Sequence, residues 1–292
     1  MANTPVGAIA HLWRFPVKSM QGERIVEASI GESGILGDRA YAIVETETGK
    51  VVSAKSVKAY PDLLACRAEF VETPRTGHAV PPARITLPSG ATVTSDAANV
   101  NAVLSKHFGR AVTLERTAPV DFTIDVQHAD LITGAVGPAT PAQLGSALFA
   151  KLGVASPVRE GAFFDAFPLS LLTTSTLNAL NGLRPQSRFD ERRFRMNLIV
   201  DAHESGFVEN AWLRHTLQIG DSVRVRITMP DPRCVMTTLA QGELPRDVDV
   251  LRTLAAHNRI PAGGVEDLPC AGVYARVTAA GTVRAGDPIV LI

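Results

Sequence analysis

Cys234, in the stretch MPDPRCVMTT (residues 229–238), is the side chain with the most pointed chemistry in this sequence. It follows Arg233, and a cation beside a thiol favours the thiolate, the form that attacks electrophiles and binds soft metals. Considered alone, Cys234 reads first as a buried structural cysteine. Cys66 and Cys270 have less distinctive surroundings and read as structural. Lys18-Ser19 in RFPVKSM pairs a point charge with a hydroxyl donor, a combination suited to phosphate. Arg39 follows the turn residues Gly37-Asp38. In RFDERRFRMNLIV (188–200), Arg192, Arg193 and Arg195 are dense. In an extended chain Arg193, Arg195 and Asn197 share one face, a fork-shaped site for an anion. The competing reading is a solvated charge run balanced by Asp190 and Glu191. An amide among apolar neighbours, as at Asn197, must find a partner.

Together these residues give cationic clusters and one candidate thiolate, which suits a bound polyanion near a soft metal. No Walker loop and no GxGxxG before a helix is present, and no GxSxG elbow. His203, His215 and His257 lack zinc-ligand spacing, though a Cys–His nucleophile pair stays open.

The elements that must carry these residues read as mostly strands. Runs at Ile9–Phe15, Ile25–Ile30, Arg39–Glu45, Val51–Ser53, Leu64–Phe70, Arg84–Leu87, Ala91–Thr94 and Val112–Arg116 are separated by turn signals. A helix from Ser95 or Asp96 to Phe108, closed by Gly109, interrupts them. Residues 117–166 show weak periodicity, with short elements at Asp121–Gln127 and Gln143–Leu152. Regular pattern returns at Leu169–Leu172, and strands are predicted at Phe194–Val200, Trp212–Ile219, Ser222–Met229, Val273–Thr278 and Pro288–Ile292. Helices are predicted over Ser175–Asn181 and from Asp247 to His257.

The length of 292 residues suggests two domains, and 46% apolar residues can fill sizeable cores. Lys plus Arg is 29 and Asp plus Glu is 29, so net charge gives no general case for nucleic acid or an anionic membrane. Three cysteines without CxxC do not make a disulfide framework. Neither a signal peptide nor a membrane span is evident, which makes a reducing, cytoplasmic setting the expectation.

At motif level the chain resembles a known family. HLWRFPVKSMQGERIVEASIGESGILGDRAYAIVE resembles the N-terminal β-barrel domain that accompanies MOSC domains (molybdenum cofactor sulfurase C-terminal domains). FRMNLIVD, then W-x-x-x-x-L-x-I-G-D (Trp212–Asp221), PRCVMTT, GVYARV and G-x-V-R-x-G-D-P (Gly281–Pro288) resemble the MOSC domain itself. In layout the chain is similar to the amidoxime-reducing component group. The resemblance implies a mainly β (α+β) fold, with a β-barrel-like domain over 1–117, a connecting region over 118–165 and a β-barrel MOSC domain with a few short helices over 166–292. It implies a molybdenum cofactor (Mo-molybdopterin) with Cys234 as metal ligand and catalytic residue. Cofactor contacts carry over onto Lys18, Ser19, Arg39, Thr173, Thr174, Arg195, Asn197, Arg233 and Tyr274. Thr173, Thr174 and Tyr274 come from the resemblance alone.

The implied activity is reduction of small N-hydroxylated substrates. Electrons would come from a separate protein: a ferredoxin, a cytochrome b5-like protein or a flavoprotein reductase. Neither pyridoxal phosphate nor an iron–sulfur cluster is expected in this chain, and neither nucleic acid nor membrane as a partner. The alternatives are a protein that binds or delivers the cofactor, and a sulfur-transfer protein with a persulfide on Cys234. Pro232 stands where relatives often carry a small hydroxyl residue.

Overall fold

Alternation of apolar and polar residues makes strands the main regular element among the described residues. In Val223–Pro232, Val223, Val225 and Ile227 are buried while Arg224 and Arg226 are exposed. The computed structural model describes residues 3–116, 162–164, 166–262 and 265–292, without the side chains of 265 and 266. The short elements expected at 121–127 and 143–152 lie outside the described residues. Packing groups the chain into two units. One holds Arg14–Glu23 and Gly37–Ala166; the other holds Met1–Trp13, Arg24–Leu36 and Phe167–Ile292.

In the first unit, Ala42–Glu45 pairs antiparallel with Val112–Glu115. Arg67–Phe70, Ala83–Thr86 and Thr92–Thr94 form a three-stranded antiparallel sheet. Helix α1 (Val100–Phe108) stops where Gly109 turns left-handed and its N–H bonds back to Ser105, the stop that a glycine after the last apolar turn predicts. Val51 makes an isolated bridge to Val44 where a strand was expected, and Leu63–Ala65 is a 3-10 turn.

The second unit is built on a closed barrel of seven strands, numbered in chain order. They are β1 (Thr4–Arg14), β2 (Leu169–Thr173), β3 (Leu198–Ala202), β4 (Thr216–Ile219), β5 (Val223–Pro232), β6 (Val265–Ala279) and β7 (Pro288–Leu291). Around the ring the order is β2-β3-β1-β7-β4-β5-β6, and β6 pairs with β2 to close it. An odd ring cannot alternate direction at every step, so at least one neighbouring pair must run parallel. That pair is β2–β3, with Leu171 opposite Leu198 and Thr173 opposite Val200. Parallel neighbours need a crossover, and helix α2 (Thr174–Leu183) provides it directly after β2. Inward side chains such as Leu12, Leu171, Leu198, Leu217, Val225, Ile227, Val273 and Ile289 fill the barrel. Each contributes about 1.5–3 kcal/mol by burial. On the outside, Leu172, Ile199 and Ala271 pack with Leu177 and Leu180 of α2 and with Val250 and Leu254 of α3 (Asp249–His257). The expectation of a mainly β chain with a barrel and a few short helices holds.

Some elements differ from the sequence reading. The strand expected from Phe194 starts at Leu198. Asp190 accepts from the Arg192 N–H and starts a 3-10 turn over Glu191–Arg193, and Arg195 has a left-handed φ of 57°. Arg193, Arg195 and Asn197 therefore do not line one face of an extended strand. Gly281–Arg284 pairs with Glu27–Gly31, and Arg259–Ala262 pairs with the first half of β6; the sequence reading missed both. The two units interleave along the chain, because the hydrogen bonds of β1 to β3 and β7 join the N-terminal strand to residues far away in sequence.

Candidate functional site

Cys234 follows β5 where that strand still rides on β6. Pro232 pairs with Cys270, and the Arg233 N–H donates to the Pro269 carbonyl at 2.8 Å. Cys234 then caps a 3-10 turn over Val235–Thr238 with its backbone: its carbonyl accepts from Thr237 N (3.2 Å) and Thr237 Oγ1 (3.0 Å). The thiol takes no part in the cap. Cys66 and Cys270 are fully buried, whereas Cys234 is half-buried. Burial pushes both buried thiols up to about 12, helped by Asp62 at Cys66 and by Asp231 at Cys270. Of the three, Cys234 alone combines solvent access with an adjoining cation.

Two arginines lace this turn to the FRMN segment. Arg233 ion-pairs with Asp231, donates from Nη2 to the Phe194 carbonyl at 2.6 Å and lies over the Phe194 ring. Its Nε is buried and has no hydrogen-bond partner. Burial alone would lower the Arg233 pKa, but Asp231 first, then Tyr274 and Cys234, raise it, so this cation stays charged. Arg193, 1% exposed, answers from the other side. It donates to the carbonyls of Arg188 (2.9 Å), Pro245 (2.8 Å), Leu239 (3.3 Å) and Thr237 (3.4 Å). Three of those four carbonyls belong to the segment that follows Cys234.

The remaining motifs join through the strands. Asn197 is buried; its side-chain oxygen accepts from Ser170 N and Oγ, and its Nδ2 donates to the Trp13 carbonyl at 3.4 Å. Ser170 is the cross-strand partner of Tyr274, whose ring stacks on Phe167 at 5.3 Å. Gly272 has a φ of 80°, and a Cβ there would meet the Leu171 carbonyl oxygen at 2.4 Å and Met196 Cε at 2.5 Å. The glycine of GVY thus lets the FRMN methionine pack against β6. FRMN, PRC and GVY meet on one end of the barrel unit, and Arg195, Asn197, Arg233, Cys234 and Tyr274 come with them.

Thr173 and Thr174 are placed differently. Thr173 is fully buried; its hydroxyl accepts from Thr176 N to cap α2 and donates to Glu209 at 2.7 Å, so its hydrogen bonds stay within the protein. Thr174 donates to Asp201 at 2.9 Å. Glu209 is a site the sequence reading missed. Its fully buried carboxylate also accepts from Thr176 Oγ1 (2.7 Å) and Gly272 N (3.2 Å). Burial raises its pKa against these hydroxyl bonds. A lone acid within the apolar stretch Phe207–Trp212 was the available signal.

In the other unit, the FPVKS and GDR segments run side by side. Val17 bridges Tyr41 in parallel, Lys18 N donates to the Tyr41 carbonyl (2.8 Å) and Arg39 N to the Phe15 carbonyl (2.7 Å). Lys18 is buried, with Nζ on the Phe163 carbonyl at 2.8 Å. Arg39 ion-pairs with Asp38 and lies over the rings of Phe15 (5.0 Å) and Phe164 (5.6 Å). Asp38 Oδ1 also accepts from the Phe15 N–H at 2.7 Å.

Backbone strain marks both places. Ser19, Arg39, Arg195 and Arg214 are the non-glycine residues with positive φ among the described residues. The first three are residues singled out from sequence. A left-handed backbone is uncommon outside glycine and concentrates where a site fixes the chain. Among the described residues, no three His, Cys, Asp or Glu side chains converge to hold a metal ion. No described helix is long and apolar enough to cross a membrane.

The chain is similar to known proteins over most of its length. The human protein named mitochondrial amidoxime reducing component 2 is 28% identical over 97% of this chain and 83% of its own length. Human mitochondrial amidoxime-reducing component 1 is 26% identical over 98% and 83%. The crystal structure of the YUAD protein from Bacillus subtilis has a TM-score of 0.45 and 9% identity, covering 98% of this chain and 95% of that one. Residues 6–107 match the model of the MOSC N-terminal beta barrel domain, and residues 158–290 match that of the MOSC domain. Matched by both models along most of its length, and with the motifs of each drawn together in space, the chain belongs to the family of MOSC proteins that carry the MOSC N-terminal beta barrel domain.

Proposed function

We propose that the chain is a molybdenum-cofactor-dependent reductase of N-hydroxylated compounds, with Cys234 as the protein's ligand to the metal. The observation that carries it is the state of Cys234: half-buried, free of internal hydrogen-bonding duty, and laced by Arg233 to the FRMN turn. A single thiolate suits a metal whose other ligands come from a cofactor, since no cage of protein ligands surrounds it among the described residues. The partnerless buried Nε of Arg233 is a donor in want of an acceptor, which an anionic cofactor supplies.

When bound, such a centre supplies two-electron oxygen removal, so that an amidoxime, two electrons and two protons give an amidine and water. The chain's residues do the rest. Arg233 holds a fixed positive charge beside the thiolate. Arg195 is buried in the FRMN turn with a left-handed backbone, and resemblance assigns its cation to the cofactor. Asn197 and Tyr274 fix the floor through Ser170. Thr173 caps α2 and Thr174 bonds to Asp201 of β3, and resemblance assigns both to the cofactor. Lys18, Ser19 and Arg39 offer the cations and hydroxyl that resemblance assigns to the cofactor. A separate electron-transfer protein provides the electrons, and a reducing setting such as the cytoplasm keeps Cys234 free. The names of the relatives support the substrate class.

The test is expression in a host that makes the cofactor, followed by elemental analysis, pterin fluorescence and amidoxime turnover with a reduced viologen dye. Wild type should hold roughly one molybdenum per chain and turn over; folded Cys234→Ala should do neither. Bound pterin without turnover would replace the reductase reading with cofactor delivery. Cyanide-releasable sulfur on Cys234 without metal would replace it with sulfur transfer.

A further inference from the structure

One outer wall of the barrel carries charge that no ion pair among the described residues balances. Arg224 and Arg226 alternate with the buried Val223, Val225 and Ile227, so both point outward from β5. Arg276 of β6 is exposed and is the cross-strand partner of Arg226. Directly opposed side chains lie about 4.5–5.5 Å apart at Cβ, and like charges there are destabilising. Arg214, also exposed, is tied to the same place, because its N–H donates to the Ile227 carbonyl at 3.0 Å. It is one of the four strained non-glycine residues, with φ of 67°.

The other side chains of this wall do not answer the charge. Arg226 faces Thr216 on β4, and Arg224 faces Gln218 on β4 and Ala279 on β6. Thr228 and Thr278 turn their hydroxyls to the backbone carbonyls of Arg226 and Arg224. Several exposed arginines elsewhere are matched: Arg67 and Arg84 with Glu69, Arg110 with Glu45, Arg184 with Asp249, Arg284 with Glu27. Asp221 in the β4–β5 turn is the acid at the end of this wall.

We propose that the outer face of β4–β5–β6, through Arg214, Arg224, Arg226 and Arg276, docks an acidic protein surface. Three guanidinium forks on strands, with Arg214 in the turn before β4 beside them, match carboxylates in geometry as well as sign, and such patches steer association. Single-stranded nucleic acid calls for aromatic stacking platforms, and the wall presents arginine, threonine and glutamine. A membrane surface calls for protruding apolar side chains, and the exposed large hydrophobics Val26, Val71, Leu183 and Val248 lie outside these strands. The inference is independent of the role proposed for Cys234.

The test uses a labelled poly-glutamate peptide of about 20 residues, a single-stranded oligonucleotide of about 20 nucleotides, and vesicles of phosphatidylcholine with phosphatidylserine. The full chain is compared with R226T/R276T and with R67T/R84T, which removes the same charge from matched arginines. The peptide should bind in a salt-dependent way and weaken about tenfold in R226T/R276T but less than about twofold in R67T/R84T. R226T/R276T should fold with a melting temperature at or above wild type, because it relieves an opposed like-charge pair. Equal loss in both double variants, or no loss in either, overturns the proposal. So does tighter binding of the oligonucleotide or the vesicles than of the peptide, lost in R226T/R276T.

Discussion

The two cationic clusters solve the problem of a sheltered charge in different ways. In the Arg14–Glu23 and Gly37–Ala166 unit, Arg39 is held by a carboxylate and two aromatic faces, and its side chain keeps 17% exposure. In the barrel unit, Arg193 is sealed from solvent and bonds to four backbone carbonyls, with no carboxylate in its ion-pair shell among the described residues. An ion pair holds a side chain; a carbonyl clamp holds backbone. The clamp at Arg193 fixes the chain on the far side of Cys234, while Arg233, with an Asp and a carbonyl, stands between the two modes. Charge count alone hides this difference, and burial exposes it.

The contrast can be broken most forcefully at Arg193. Arg193→Met leaves its carbonyls without a donor and should cost about 3–5 kcal/mol in chemical denaturation, whereas Arg39→Met, at a partly exposed pair, should cost about 1 kcal/mol. Comparable costs at both would erase the distinction between clamp and pair. Gly272→Ala comes next: its left-handed φ and a carbonyl within 2.4 Å predict about 2–4 kcal/mol and a thermal shift in the same direction.

A pH series sharpens the comparison at Glu209, a buried acid answered by hydroxyls instead of cations. Its pKa is raised in the folded state, so the folded protein holds a proton that the unfolded chain has released. Stability from this group is therefore present below the ordinary carboxylate pKa and declines as pH rises from there through the raised value. The wild-type minus Glu209→Gln stability difference should carry that falling slope; a flat difference would mean that Glu209 titrates normally. The smallest stability effect belongs to Cys234→Ala, expected within about 0.5 kcal/mol for a half-buried thiol without a hydrogen-bonding duty. A thiol reagent should label Cys234 in the native protein, with Cys66 and Cys270 reacting after unfolding, since burial holds their thiols near 12.

Much of the fold was legible from alternation. Val223–Ile227 shows its inward and outward faces directly, and Phe108-Gly109 its helix stop, because these depend on neighbours two to four residues away. The turn at Glu191–Arg195 was not legible. Its apolar and basic residues fit a strand, and the carbonyls that pull Arg193 inward come from residues 188, 237, 239 and 245. Glu209 was passed over for the same reason: its partners Thr173, Thr176 and Gly272 lie on other elements.

By itself, the sequence determined that this is a mainly β MOSC-type chain with one cysteine beside an arginine, because residue identity and short-range periodicity travel with the chain. Tertiary structure decided which cysteine is reachable and which arginine clamps backbone. It also decided that Thr173 caps a helix and that four arginines share an unmatched wall. Burial and partner choice are set by closing a ring of seven strands whose neighbours lie up to 287 residues apart in sequence, as with Thr4 and Leu291. Short-range pattern carries no information about that closure.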